Sequence, residues 1–68
     1  MKFRRLKDQR RGQLMASALG LFAARGFSTV AIADITRAAG LSVGAFYLYF
    51  PNKEELLRQL VAEAGLAL

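Results

Sequence analysis

Between Gly40 and Pro51 the chain must enter, complete and leave a helix, and this constrains its fold more than any other feature. Ala31 to Ala39 reads as a short helix, with Ile32, Ile35 and Ala39 on one face. Gly40 follows where a helix C-cap glycine belongs, in the left-handed conformation that glycine reaches without strain. Ser42 is a good N-cap for the next helix, because its hydroxyl accepts from a free amide of the first turn. Pro51 disfavours the α region at Phe50, so that helix has about two turns. At about 100° per residue, Val43, Phe46 and Phe50 share one side. Gly44, Ala45, Leu48 and Tyr49 share the other, with Tyr47 at the border. The first side anchors the helix. The second carries no charge, is small and flat near its start, and can press closely against a partner.

Helix, short turn with glycine, helix is the helix-turn-helix signature, whose second helix enters the major groove of DNA. The residues around it extend the pattern. Leu14-Met15, Ala18, Leu21-Phe22 and Arg25-Gly26-Phe27 precede it, and Asp34-Ile35 and Ala38 to Ser42 form it. Gly44, Phe46-Tyr47, Tyr49-Phe50, Asn52-Lys53 and Leu56-Leu57 complete it. This ordered set, at these distances, resembles the N-terminal domain of the tetracycline-repressor (TetR) family of bacterial transcription regulators. Three positions depart from the family pattern. Val30 stands where a threonine usually caps the second helix and touches phosphate; Thr29 or Ser28 would substitute. Thr36 stands where a small alanine is usual, which implies a wider helix crossing or a hydroxyl bonded back to the preceding turn. Gly20 interrupts the first helix, at a cost of about 1 kcal/mol relative to alanine, and is expected to permit a close helix contact.

The resemblance implies an all-α fold: a small bundle of three helices plus the start of a fourth, linking helix. Residues 1–8 are expected to be a basic arm, frayed when free, 9–52 the helix-turn-helix domain, and 53–68 the linking helix. It implies base contacts at Val43, Gly44, Ala45 and Leu48. The first three cannot make bidentate bonds to bases, so readout would lean on thymine methyls and on DNA shape. For Leu48, local packing is the competing reading. It also implies phosphate contacts for Tyr47 and Tyr49, which set register rather than sequence; for Tyr47 a core ring with its hydroxyl at the surface is the alternative. Thr29 and Ser28 are expected to cap the second helix, whose free amides make a phosphate site. Lys53 follows the N-cap Asn52, and a cation is poorly placed at a helix start. That misplacement points to another duty, and neutralising phosphate is the obvious one. Arg37 either reaches the DNA backbone or supports its own helix dipole.

Charge is distributed unevenly. Lys2, Arg4, Arg5, Lys7, Arg10 and Arg11 against Asp8 account for the whole net charge of +5. The remainder of the chain balances Arg25, Arg37, Lys53 and Arg58 against Asp34, Glu54, Glu55 and Glu63. Lys2, Arg4, Arg5 and Lys7 suit phosphates or the minor groove beside a major-groove helix, as basic arms do; a solubilising tail is the bland alternative. With no Cys and no His, disulfides, thiolate metal sites and histidine acid-base chemistry are excluded. The adjacent Glu54 and Glu55 lie in a first helical turn, where they favour the dipole. No enzyme motif is present, and neither a catalytic residue, a metal ligand nor a cofactor is expected.

A chain of 68 residues forms one small domain, yet 54% of it is hydrophobic. Domains this short bury only about 60% of their unfolded surface. The apolar excess, including Leu66 and Leu68, is expected to face a larger C-terminal domain outside this chain. By resemblance that domain would mediate homodimerisation and bind a small-molecule effector. The expected partner is double-stranded DNA carrying an inverted repeat, and the expected location is cytoplasmic. Met1 to Ala24 has the outline of a secretory signal, but its apolar residues keep amphipathic spacing. No run approaches the 20 or so apolar residues of a membrane span, and no membrane partner is expected. The rival from another class is a helical protein-interaction module with an incidental basic arm.

Overall fold

The computed structural model describes residues 2–65, and side chains from residue 5 onward. Four helices follow one another: α1 Lys2–Arg25, α2 Ile32–Ala39, α3 Val43–Tyr47 and α4 Lys53–Glu63. A single 3-10 turn, Phe27–Thr29, joins α1 to α2. The described residues contain no strand, so the domain is all-α.

The core is small and continuous. Leu14, Met15 and Ala18 of α1 meet Val30, Ile35 of α2, Phe46 and Phe50 around α3, and Leu56 of α4. Leu21, Phe22, Ile32, Leu41, Tyr49 and Leu60 close its margins. Phe46 and Phe50 lie 5.6 Å apart between ring centroids, and Phe22 meets Phe27 edge-on at 5.0 Å. α1 supplies the floor on which the two short helices rest. Five to eight residues are too few to be stable helices alone, so packing holds α2 and α3 in shape.

The joint between α2 and α3 forms as the sequence predicts. Gly40 sits at φ 73°, and its amide donates to the Arg37 carbonyl. The Leu41 amide reaches back to the Thr36 carbonyl at 2.8 Å. This pair of bonds is a Schellman closure, which only a left-handed residue completes without strain. The Ser42 hydroxyl then accepts from the Ala45 amide at 3.2 Å, starting α3. α3 is shorter than its two expected turns: it ends at Tyr47, and Leu48 to Phe50 continue as a turn bonded to the Ala45 and Phe46 carbonyls. Asn52 caps α4 by accepting from the Glu55 amide at 2.7 Å.

Several expectations are corrected. The arm is no separate frayed element, because α1 runs unbroken from Lys2; Lys, Arg, Leu and Gln are good helix formers and extend a helix already anchored at Leu14. Neither Ser28 nor Thr29 caps α2. The N-cap is Ala31, which has no acceptor, and the Asp34 carboxylate three residues on accepts from the Ala31 amide at 2.9 Å. Gly20 permits no close contact, since a Cβ there would meet nothing within 4 Å. Thr36 is 2% exposed, and its hydroxyl donates to the Ala33 carbonyl at 3.2 Å, which is the back-bonding alternative foreseen for it. Leu66 and Leu68 lie outside the described residues.

Candidate nucleic-acid interface

The uncharged side of α3 faces outward. Val43, expected on the anchoring side, is instead 44% exposed, and Leu48 is 77% exposed, with Gly44 exposed and Ala45 half-buried between them. Phe46, on the opposite side, is fully buried and fixes the helix's rotation. A short helix therefore presents a small apolar ridge, with most of the Leu48 side chain open to solvent. Gly44 is not required by packing, because an added Cβ would meet only the Ser42 hydroxyl at 3.9 Å.

Tyr47 and Tyr49 diverge. Tyr47 is 54% exposed and packs edge-on against Phe46 at 5.4 Å, so its ring stands on the surface rather than in the core. Tyr49 is half-buried against the core margin. Beside it, α1 returns: Leu6, Lys7 and Arg10 line a shallow pocket of about 270 Å³ with Leu48 and Tyr49. The structure thus places Lys7 next to the end of the α3 unit. Arg10 belongs to the same wall. The sequence does not single it out, because its neighbourhood with Leu48 depends on α1 continuing as a helix. Of the other arm residues, Arg5 is exposed, and the side chains of Lys2 and Arg4 lie outside the described residues.

The arginines of the domain body are paired on its surface. Arg25 and Arg37 flank the Asp34 carboxylate at 3.6 and 3.4 Å. Arg58 pairs with Glu55 at 2.7 Å. Arg11 binds Glu63 and Gln59 of α4 and lies 5.7 Å from the Phe50 ring centroid. Arg5, Lys7 and Arg10 make no ion pair among the described residues. Uncompensated positive charge is therefore concentrated on the first turns of α1, beside Leu48 and Tyr49. These pairings hold three carboxyls below their ordinary values. Asp34 is lowered first by the Ala31 amide and then by the two arginines. Glu55 falls to about 2, chiefly through its hydrogen bonds from Arg58, and Glu63 is lowered by Arg11.

Two expected phosphate contacts are engaged within the protein. The Thr29 hydroxyl donates back to the Arg25 carbonyl and lies 3.1 Å from that of Gly26. The Lys53 ammonium donates to the Phe27 and Val30 carbonyls at 2.8 and 2.9 Å. No group of three or more His, Cys, Asp or Glu side chains among the described residues is arranged to hold a metal.

Residues 14–60, from the core half of α1 to the middle of α4, match the tetR family of bacterial regulatory proteins. The chain belongs to the TetR family. This domain is similar to the HTH-type transcriptional regulator YfiR of Bacillus subtilis, with 35% identity over 88% of this chain and 29% of that protein. It is 37% identical to the HTH-type transcriptional repressor KstR2 of Mycobacterium tuberculosis, over 79% of this chain and 27% of the repressor. The regulator EthR of Mycolicibacterium smegmatis is 35% identical over 79% of this chain and 25% of its own length. The chain spans under a third of the length of these relatives. No solved structure matches it significantly. In this TetR-family domain α2, the Gly40 turn and α3 form the helix-turn-helix. No helix among the described residues is long and apolar enough to cross a membrane.

Proposed function

We propose that this TetR-family domain binds operator DNA by laying the exposed side of α3 in the major groove, with the start of α1 on the adjoining backbone. The observation that carries the proposal is the coincidence of two surfaces. The uncharged ridge of Val43, Gly44, Ala45 and Leu48 ends at the pocket walled by Lys7 and Arg10. A groove-facing helix without charge reads bases through van der Waals contact with thymine methyls. Cations beside it, and not on it, hold the phosphates and set the register. Tyr47 offers its hydroxyl to the backbone from an exposed ring, and Tyr49 from the pocket wall. Thr29 lies on the α1–α2 turn and contacts phosphate by turning its hydroxyl outward, while Lys53, at the start of α4, is bonded to that turn. Lys2, Arg4 and Arg5, which precede them in the sequence, are further candidates for backbone contact.

The regulator acts as a homodimer on an inverted repeat, with two such domains on successive major-groove faces roughly 34 Å apart. Dimerisation and effector binding reside in parts of the protein beyond this domain. Effector binding would change the separation of the two reading heads and relieve repression. A cytoplasmic location follows from that role, as does the absence of enzymatic activity.

Salt separates this reading from that of a protein-interaction module. Each phosphate neutralised contributes a slope of about −0.9 to log K against log salt. Four or more contacts per domain give a slope of about −3.6 or steeper. Binding to duplex DNA that is insensitive to salt, or absent at moderate salt in a folded chain, overturns the proposal.

A further inference from the structure

Lys53 opens α4 with a cation at the positive end of the helix, where charge of that sign is disfavoured. The structure shows what holds it there. Its Nζ donates to the Phe27 carbonyl at 2.8 Å and to the Val30 carbonyl at 2.9 Å, and stands 4.2 Å from the Phe27 ring centroid. All three contacts are on the turn between α1 and α2, more than twenty residues away in sequence. The turn is itself pinned. Val30 is 1% exposed, and Phe27 rests edge-on against Phe22 of α1. The tie therefore connects the first residue of α4 to the segment from which α2 departs two residues later. An ammonium has three N–H donors, and two are committed to carbonyls.

We propose that Lys53 is a positioning residue: it fixes the α1–α2 turn, and with it the entry of α2, against the start of α4. Its weight in DNA binding comes through that tie and not through neutralising a phosphate. The inference rests on the reading that α2 and α3 bind duplex DNA. Removing the donors leaves two carbonyls and the ring without their partner, so the turn loosens and α2 carries α3 with it out of register. Charge neutralisation at the phosphates is unaffected.

The test compares the 68-residue chain with its Lys53→Met variant on one duplex over a salt series, below the melting midpoint of both, with amide exchange measured in parallel. The tie predicts about a tenfold loss of affinity with an unchanged salt slope. It also predicts faster exchange at the Thr29 and Val30 amides, which close the turn, with the Ala45 amide unchanged. Lys7→Met, a proposed phosphate contact, serves as the contrast and lowers the slope by about 0.9. A Lys53→Met slope lowered by that amount, with turn exchange unaltered, overturns the proposal and makes Lys53 a phosphate contact. If Lys53→Met does not fold, the nitrogen resonances of the lysine ammonium groups in the unaltered chain decide. The tie predicts that Lys53 is already protected without DNA and that Lys7, not Lys53, shifts on titration; the reverse overturns it. If the unaltered chain binds no duplex, the DNA-binding reading fails separately. Exchange at Val30 still judges the tie, and unchanged exchange in Lys53→Met rejects it.

Discussion

At the residue scale, two glycines separate fold from function. Gly20 and Gly44 are both helical, and neither has a neighbour that an added methyl would strike. Gly20 is away from the proposed interface, so Gly20→Ala should stabilise the domain by about 1 kcal/mol and leave DNA affinity unchanged, as thermal melts and a binding titration would show. Gly44→Ala should also be tolerated by the fold, with the same sign of effect on melting. Its DNA affinity should nevertheless fall about tenfold or its sequence preference change, because the methyl occupies the space where backbone and base edges approach. A Gly44→Ala protein that binds as well as the original would remove α3's start from the interface. Leu48 is the complementary case. At 77% exposed it contributes little to the core, so Leu48→Ala should change melting by under about 0.5 kcal/mol while altering the preferred sequence.

At the element scale, caps and local pairs hold short helices that packing alone orients. Ser42→Ala and Asn52→Ala each remove an acceptor from a first-turn amide, and each should cost about 1 kcal/mol in urea unfolding. The carboxylates predict a pH response. Asp34, Glu55 and Glu63 have lower affinity for protons when folded than when unfolded, with Glu55 lowered to about 2. Their contribution is complete above the unfolded value of about 4 and is lost as pH falls through the folded values. The urea midpoint should therefore be level from pH 7 to about 5 and decline between about 4.5 and 2. A midpoint that rises on acidification would contradict the assigned pairs. These elements also show what is legible in a sequence. Gly40, Ser42 and Asn52 act on residues within a few positions of themselves, so α2, the turn and the caps of α3 and α4 could be read directly. The cap of α2 could not, because Ala31 has no acceptor and the service comes from Asp34, ahead of it in the chain. The start of α1 was equally obscure: a cluster of cations at a helix N-terminus opposes the dipole, and only continuity with an anchored helix outweighs that.

At the scale of the molecule, the core could be anticipated and the charge network could not. Leu14, Ala18, Ile35, Phe46 and Leu56 follow periodic spacing, and all are buried. The pairings of Arg11 with Glu63 and of Lys53 with the α1–α2 turn join residues far apart in sequence, and no local pattern encodes them. Those pairings engage the cations of the domain body, whereas Arg5, Lys7 and Arg10 of α1 make no ion pair among the described residues. Arg10→Ala should thus lower the salt slope of DNA binding by about 0.9 with little change in melting. Arg11→Ala should instead lower the melting midpoint by loosening α1 from α4, with the slope preserved. Equal effects of the two on the slope would refute the division between phosphate-binding and structural arginines.

The most direct test of sequence-specific recognition by α3 is selection of bound duplexes from a random DNA pool by this chain, repeated with Leu48→Ala. Base reading through α3 predicts an enriched motif containing thymine-bearing steps, as a half-site or an inverted repeat, which changes where Leu48 is truncated. Duplexes retained without enrichment, or a motif indifferent to Leu48 and to Gly44→Ala, would contradict it.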